Sequence, residues 1–326
     1  MARQGSKSRV RGLYRMMERC GMCPRACGAR RLAGKTGMCK SGVLPVVASA
    51  NVHHGEEPPI TGARGSGTVF FSGCNMQCVF CQNFPISQLG VGKRMTVTEL
   101  ARKMLGLQKR GAENINFVTP THFMAQAAHA VFIARRKGLA IPIVWNTSGY
   151  ESVEPLRLLE GFVDIYLCDY RYATPELAKK FSGAPDYPAV VEPAIEEMLR
   201  QVGHFDGQRG VIIRHLCMPG HLDETQKVLE RIRQKFGERT TVSFMSQFFP
   251  AHRCAEFPEI NRRMTEEEME EARKLLERSG LENGWVQLEY STPEQGTTPL
   301  SPPYEGGEGK GEVVRRLGME RDLAPS

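Results

Sequence analysis

From about residue 66 onward, short apolar runs alternate with longer segments in which apolar residues return every three or four positions. The short runs are GTVFFSG (67–73), NINFVT (114–119), IPIVWN (141–146), VDIYLCD (163–169), GVIIRHL (210–216) and TVSFMSQ (241–247). Their length, their Val, Ile and Phe content and the turn residues around them predict strands. LPVVASANV (44–52) reads as a further β-like segment ahead of them. In the longer segments Leu100, Met104 and Leu107 share one helical face. Thr96 and Glu99 form a capping box in front of them, and Thr265 and Glu268 form another in front of a helix reaching Ser279. The same periodicity predicts helices over 123–137, 152–160, 188–202 and 224–236.

Six strand–helix units in succession predict a parallel sheet with right-handed crossovers. A complete eightfold barrel takes about 250 residues, and about 215 are spent here on six units. The expected fold is therefore α/β, an incomplete (β/α)6 TIM-like barrel with an N-terminal cysteine-rich metal-binding element. A doubly wound sheet is the alternative, and both architectures bind ligands at the carboxyl ends of the strands. The chain divides into a basic N-terminus with a four-cysteine element (1–60), the barrel (61–291) and a tail (292–326). The tail is rich in Gly, Pro and Glu, buries too little apolar surface to offset its ordering entropy, and is expected to be disordered.

Composition narrows the class. The chain has 326 residues, 41% of them hydrophobic, enough for a sizeable core. No apolar run approaches the about 18 residues of a membrane span. The first twenty residues are basic and lack an apolar signal region, so a cytoplasmic location is expected. Ten cysteines in a reducing compartment point to metal binding rather than disulfides. The net charge is +7, and Arg3, Lys7, Arg9, Arg11 and Arg15 crowd the N-terminus. A nucleic-acid arm would need interleaved aromatics that are missing, so this segment reads as a solvated, frayed terminus. Neither a membrane nor a nucleic-acid partner is expected.

The cysteines fall into two groups. Cys74-x3-Cys78-x2-Cys81 follows strand GTVFFSG directly and so belongs to the ligand-binding face. The spacing lets one loop wrap a small inorganic cluster. A four-iron cluster takes four ligands, and no fourth cysteine follows before Cys168. An incomplete set leaves one iron open, as catalytic zinc sites keep one position open. A three-ligand zinc site is the alternative, and it does not account for the spacing. Cys20-x2-Cys23-x3-Cys27-x11-Cys39, with Pro24, Gly28 and Gly37 for its turns, has the four thiolates that close a metal site. Either a second iron–sulfur cluster relaying electrons or a zinc ion stapling a segment too short for its own core would suit it.

Cys-x3-Cys-x-Phe80-Cys after the first barrel strand resembles the radical SAM superfamily. The resemblance implies a [4Fe–4S] cluster on Cys74, Cys78 and Cys81 whose open iron binds S-adenosylmethionine. One electron from a low-potential donor then yields a 5′-deoxyadenosyl radical that abstracts hydrogen from a substrate. GEEPPITGARGSGTVFFSGCNMQCVFCQN, with Cys-Pro-Arg-x-Cys-Gly upstream, is similar to the PflX-like branch related to pyruvate formate-lyase activating enzyme, across roughly residues 20–290. That branch implies an oxidoreductase acting on a protein substrate.

The same resemblance assigns site residues. NFVTPTHF (116–123) stands where activating enzymes carry Gly-Gly-Glu-Pro, so Thr119, Pro120 and Thr121 offer backbone carbonyls to the cofactor but no glutamate. Phe80, Asn146 and Ser148 complete the expected cofactor contacts. Asp169 and Arg171, the latter in place of an activase lysine, join Arg214 and His215 as catalytic candidates, with Gln247 lining the cavity. Glu56 and Glu57 precede the first barrel strand and read as out of place for the missing glutamate. His53 and His54 read as loop residues rather than ligands. Cys168, facing away from Asp169, reads as core packing, as do Cys217, Cys254 and the Phe248-Phe249 pair. Two other functions stay open on sequence: a two-cluster electron-transfer protein, and a zinc-containing RNA-modifying protein.

Overall fold

The computed structural model describes residues 2–287 and the short strand Val314–Arg316. Its strands are β1 (Val46–His53), β2 (Ser66–Phe71), β3 (Lys93–Arg94), β4 (Ile115–Val118), β5 (Ile143–Thr147), β6 (Ile165–Asp169), β7 (Gly210–Leu216), β8 (Thr241–Met245), β9 (Gly284–Gln287) and β10 (Val314–Arg316). The helices are α1 (Ala2–Arg15), α2 (Pro58–Thr61), α3 (Phe84–Ser87), α4 (Val97–Lys109), α5 (Met124–Arg136), α6 (Val153–Arg157), α7 (Pro175–Ser182), α8 (Tyr187–Val202), α9 (Leu222–Phe236) and α10 (Glu266–Ser279). They build one sheet in the order β10-β9-β8-β7-β6-β5-β4-β2-β1-β3. All pairings from β2 to β9 are parallel, and β1, β3 and β10 are antiparallel additions at the two edges. The fold is α/β with a mostly parallel sheet, as the sequence pattern predicts.

The six expected strands are β2, β4, β5, β6, β7 and β8. β9 extends the parallel series by one strand that the sequence reading does not contain. Both capping boxes are present, with the Thr96 and Thr265 hydroxyls accepting from the N–H groups of Glu99 and Glu268. No helix among the described residues is long and apolar enough to cross a membrane. The tail assigned to 292–326 lies outside the described residues apart from β10.

The sheet curls, and a pair of carboxylates reports the curl. Glu56 and Glu57 sit between β1 and α2, and their carboxylates reach side chains on β4, β5, β7, β8 and β9. Asn116 of β4 donates to Glu56 at 2.6 Å, while Ser243 of β8 and Trp285 of β9 each donate to Glu57 at 2.8 Å. In a flat sheet β4 and β9 would stand about 24 Å apart, five spacings of about 4.8 Å. Their inner faces instead meet two consecutive side chains.

The N-terminus is a correction to the frayed-terminus reading. Val10, Leu13 and Met17 fall on one side of α1 and the turn after it, and all three are buried, with α1 packed on α5. Arg9 donates to the Glu160 carbonyl at 2.6 Å and pairs with its carboxylate at 3.3 Å. A tally of basic residues hides an apolar stripe at i, i+3 and i+7. This segment joins the same hydrophobic core as the barrel strands and helices.

Candidate functional site

The three-cysteine loop leaves β2 through Ser72 and Gly73. Gly73 has φ +88°, and a Cβ there would stand 2.5 Å from the Cys39 carbonyl oxygen, so only glycine fits this turn. Each thiol has a hydrogen-bond donor. The Met76 N–H reaches the Cys74 sulfur at 3.4 Å, and the Ser87 hydroxyl stands 3.1 Å from the Cys81 sulfur. Cys78 receives Arg171 Nη1 at 3.0 Å and the Ser182 hydroxyl at 2.9 Å. Burial pushes the Cys74 thiol up to about 12, with the neighbouring Cys78 adding to the effect, and burial raises Cys81 as well. The shared loop of the three thiols, their mutual proximity and their donors fit an iron–sulfur cluster with three protein ligands. Phe80 covers the loop, 5.7 Å from the Phe248 ring.

Behind the loop lies a chain of buried charges. Arg171 donates to Asp169 Oδ2 through Nε at 3.0 Å and Nη2 at 2.6 Å. The other Asp169 oxygen accepts from Arg214 Nε at 2.7 Å. Burial alone would raise the Asp169 carboxyl, but Arg214 and Arg171 outweigh it and hold it below the usual carboxylate range. Arg214 continues to Asn146 Oδ1 at 3.0 Å and lies 3.6 Å from Glu56 and 3.5 Å from Glu57. Asn146 in turn donates to Glu56 at 3.0 Å. Glu57 is raised by burial, with Arg214 opposing. The candidates Asp169, Arg171, Arg214 and Asn146 thus form one network, and Glu56 and Glu57 join it from below. Sequence reasoning placed the two glutamates outside the barrel. Their only signal is an acidic pair without a nearby basic partner in the apolar, proline-rich segment EEPPITG.

Other candidates lie elsewhere. His215 faces the opposite side of β7, where its ring nitrogens meet the Tyr170 carbonyl at 2.8 Å and the Thr225 hydroxyl at 3.1 Å. Thr119 closes β4 with φ +53°, a strained value for a β-branched residue, and its N–H donates to the Asn146 carbonyl at 2.9 Å. Pro120 is buried behind it. The Thr121 hydroxyl is committed to Glu151 at 2.8 Å. Glu151, absent from the sequence reading, is fully enclosed and also accepts from Thr147 and Trp145, and burial raises its carboxyl. The Ser148 hydroxyl is buried and unpartnered. Cys168, Cys217, Cys254 and Phe248 are core residues, whereas Phe249 is exposed beside Arg263. His53 and His54 are exposed at the far end of β1, away from both cysteine groups.

Cys20, Cys23, Cys27 and Cys39 line one small cavity together with Arg25, Arg31, Asn75 and His122. Burial pushes the Cys23 thiol up to about 12, opposed by the Arg25 N–H and reinforced by Cys39 and Cys20. For Cys27 burial is outweighed by the N–H groups of Ala29 and Met38, which hold it below its ordinary value.

A sequence model described as the Radical SAM superfamily matches residues 68–232, which contain the three-cysteine loop, Asp169, Arg171 and Arg214. The uncharacterized protein MJ0674 of Methanocaldococcus jannaschii is 32% identical over 82% of this chain and 77% of its own length. The uncharacterized protein MJ0808 of the same organism is 26% identical over 82% of this chain and 80% of its own length. Among solved structures, Streptococcus suis SuiB bound to S-adenosylmethionine is 11% identical, with a TM-score of 0.44 over 63% of this chain and 44% of SuiB. The chain therefore spans less than half of SuiB. Methylornithine synthase PylB is 16% identical, with a TM-score of 0.43 over 79% of this chain and 77% of PylB. The hydrogenase maturase HydG of Carboxydothermus hydrogenoformans is 14% identical, with a TM-score of 0.48 over 68% of this chain and 52% of HydG.

Proposed function

Because the chain belongs to the radical SAM superfamily, we propose that it is an enzyme that abstracts hydrogen from a substrate, with Cys74, Cys78 and Cys81 holding a [4Fe–4S] cluster that binds S-adenosylmethionine. When bound, the cluster supplies the single electron that cleaves the cofactor reductively. The observation that carries this reading is the three-thiol loop tied through Arg171 to Asp169 at the carboxyl end of β6. Arg171 and Ser182 donate to the Cys78 sulfur and orient it. Asp169 fixes both guanidiniums and keeps the floor of the site from carrying bare positive charge. Thr119, Asn146 and Ser148, at the carboxyl ends of β4 and β5, offer polar groups to the cofactor. Phe80 shields the loop from one side. The four-cysteine element holds a second metal centre, and a low-potential protein serves as electron donor.

The likeness to activating enzymes around GEEPPITG and the cysteine loop supports a glycine residue of a partner protein as the hydrogen source. Thr119-Pro120-Thr121 departs from that branch at a cofactor contact.

Anaerobic reconstitution followed by reduction tests the chemistry. Formation of 5′-deoxyadenosine from S-adenosylmethionine is expected, and Cys74→Ala, Cys78→Ala or Cys81→Ala should each abolish it. A fully reconstituted protein that leaves the cofactor intact would sink the reading. For the substrate, extract from cells grown on deuterated glycine is separated into protein and small-molecule fractions. Deuterium should enter 5′-deoxyadenosine from the protein fraction, and label arriving only from small molecules would reject a protein substrate.

A further inference from the structure

We propose that Cys20, Cys23, Cys27 and Cys39 hold a redox-active iron–sulfur cluster that passes electrons to the three-cysteine loop; the acceptor is the cluster of the reading above, on which this inference rests. The first observation is electrostatic. Arg31 is 0% exposed, yet among the described residues no carboxylate pairs with it. Its Nη2 donates to the Gly42 carbonyl at 2.8 Å, its Nη1 stands 3.9 Å from the Cys20 sulfur, and its plane covers the Phe123 ring. Among the described residues Arg25 likewise donates to carbonyls alone, those of Asn75, Met76, Ser182 and Gly183. From Arg19 to Gly55 the sequence contains no Asp or Glu at all. A buried guanidinium without an anion is costly. Metal-bound thiolates in the cavity that both arginines line would supply the missing negative charge.

The second observation is a pair of orphaned acceptors lining the same cavity. His122 Nε2 stands 2.8 Å from the Ser72 carbonyl and so carries the proton, leaving Nδ1 a bare lone pair. Nδ1 and Asn75 Oδ1 are both buried without a partner, in residues each 1% exposed. A cation among the four sulfurs would face both.

One feature favours iron–sulfur over zinc. A structural zinc ion serves segments without a core of their own, whereas Leu13, Met17, Cys20 and Met22 belong to the same core as the barrel.

Position completes the inference. The two cysteine groups share a wall: Cys39 O packs on Gly73, Gln77 Nε2 donates to the Met38 carbonyl at 2.9 Å, and Arg25 holds the Asn75 and Met76 carbonyls. Cys27 is exposed on the outer side. One electron from a low-potential one-electron carrier reduces the outer cluster. That cluster returns to its oxidised state as the inner one is reduced, and no proton moves.

The test uses the full chain, reconstituted anaerobically. Wild type should bind about eight irons and the Cys74→Ala/Cys78→Ala/Cys81→Ala variant about four, with a reduced-cluster EPR signal. Cys20→Ser/Cys23→Ser should also keep about four irons and retain cofactor cleavage with dithionite. With reduced ferredoxin as donor, its inner cluster should be reduced at least tenfold more slowly than in wild type. Zinc in place of iron in the triple variant, or an unchanged iron count in the double variant, overturns the cluster. An unchanged ferredoxin rate overturns the relay. If the triple variant does not fold, the double variant decides. A wild type that holds eight irons but leaves S-adenosylmethionine intact defeats only the enzymatic reading.

Discussion

Arg171 joins Cys78 to Asp169: one guanidinium places Nη1 3.0 Å from the sulfur and Nη2 2.6 Å from the carboxylate. The residues are far apart in sequence, and only the pairing of β6 within the parallel sheet brings Arg171 to the loop. The contact sets both the charge at the sulfur and the orientation of the arginine.

Arg171→Lys keeps the charge but loses the planar fork that reaches both partners. Losing a hydrogen bond to a metal ligand typically costs about 10–100-fold in metal affinity or activity. The expected outcome is a reduced rate of 5′-deoxyadenosine formation with the cluster still bound, read by product analysis and iron content. An unchanged rate would remove Arg171 from the working site.

Asp169 gives a pH-dependent signature. Its carboxyl is depressed in the fold, so its stabilisation is fully present above the unfolded value of about 3.9 and is lost as pH falls through the folded value. Asp169→Asn leaves two guanidiniums without their shared anion, at a cost of about 3–5 kcal/mol near neutrality. Urea unfolding should show that gap at pH 7 and a smaller one in strong acid. A gap that stays constant into acid would contradict the assignment.

Glu151 has the opposite sign. Its folded value is raised by burial, so wild-type stability should fall as pH climbs from the unfolded value of about 4.3 toward the folded one. Glu151→Gln keeps an oxygen to accept from Thr121, Thr147 and Trp145 and removes the ionisation. The variant should be the more stable protein at pH 8, with the wild-type slope, at most about 1.4 kcal/mol per pH unit, removed. Denaturant midpoints at pH 5 and pH 8 measure it.

Gly73→Ala should disturb both cysteine groups at once. The new methyl would strike the Cys39 carbonyl and occupy a left-handed backbone position. A loss of about 1–3 kcal/mol from backbone strain is expected. Iron content should drop in parallel, because the loop cannot turn without moving Cys39. Wild-type iron and stability in this variant would show that the two groups are not mechanically coupled.

The sequence reveals the parts of this architecture that depend on local chemistry. Strands β2 and β4 to β8 announce themselves as apolar runs, the two capping boxes mark α4 and α10, and the three cysteines fall in one loop. Elements set by distant packing are hidden. α1 looks like a charged tail because its burial depends on α5, more than a hundred residues later. Glu56 and Glu57 look misplaced because their partners Asn116, Ser243 and Trp285 lie on β4, β8 and β9, far later in the chain. Adjacency on a strand misleads as well: Arg214 and His215 are neighbours in sequence, yet alternation sends the first to the charge network and the second toward α9. Glu151 gives no pattern at all, since its partners Thr121, Trp145 and Thr147 meet only once β4 and β5 are paired.

The glutamate pair also ties the curved sheet together across its inside. β4, β5, β7, β8 and β9 are stitched to two consecutive residues, while among the described residues β2 and β9 share no ladder to close the circle. Gln247 at the rim is held to the same stitch, because it donates to Gln287, which in turn donates to Glu57. Widening the curved sheet would have to break those contacts.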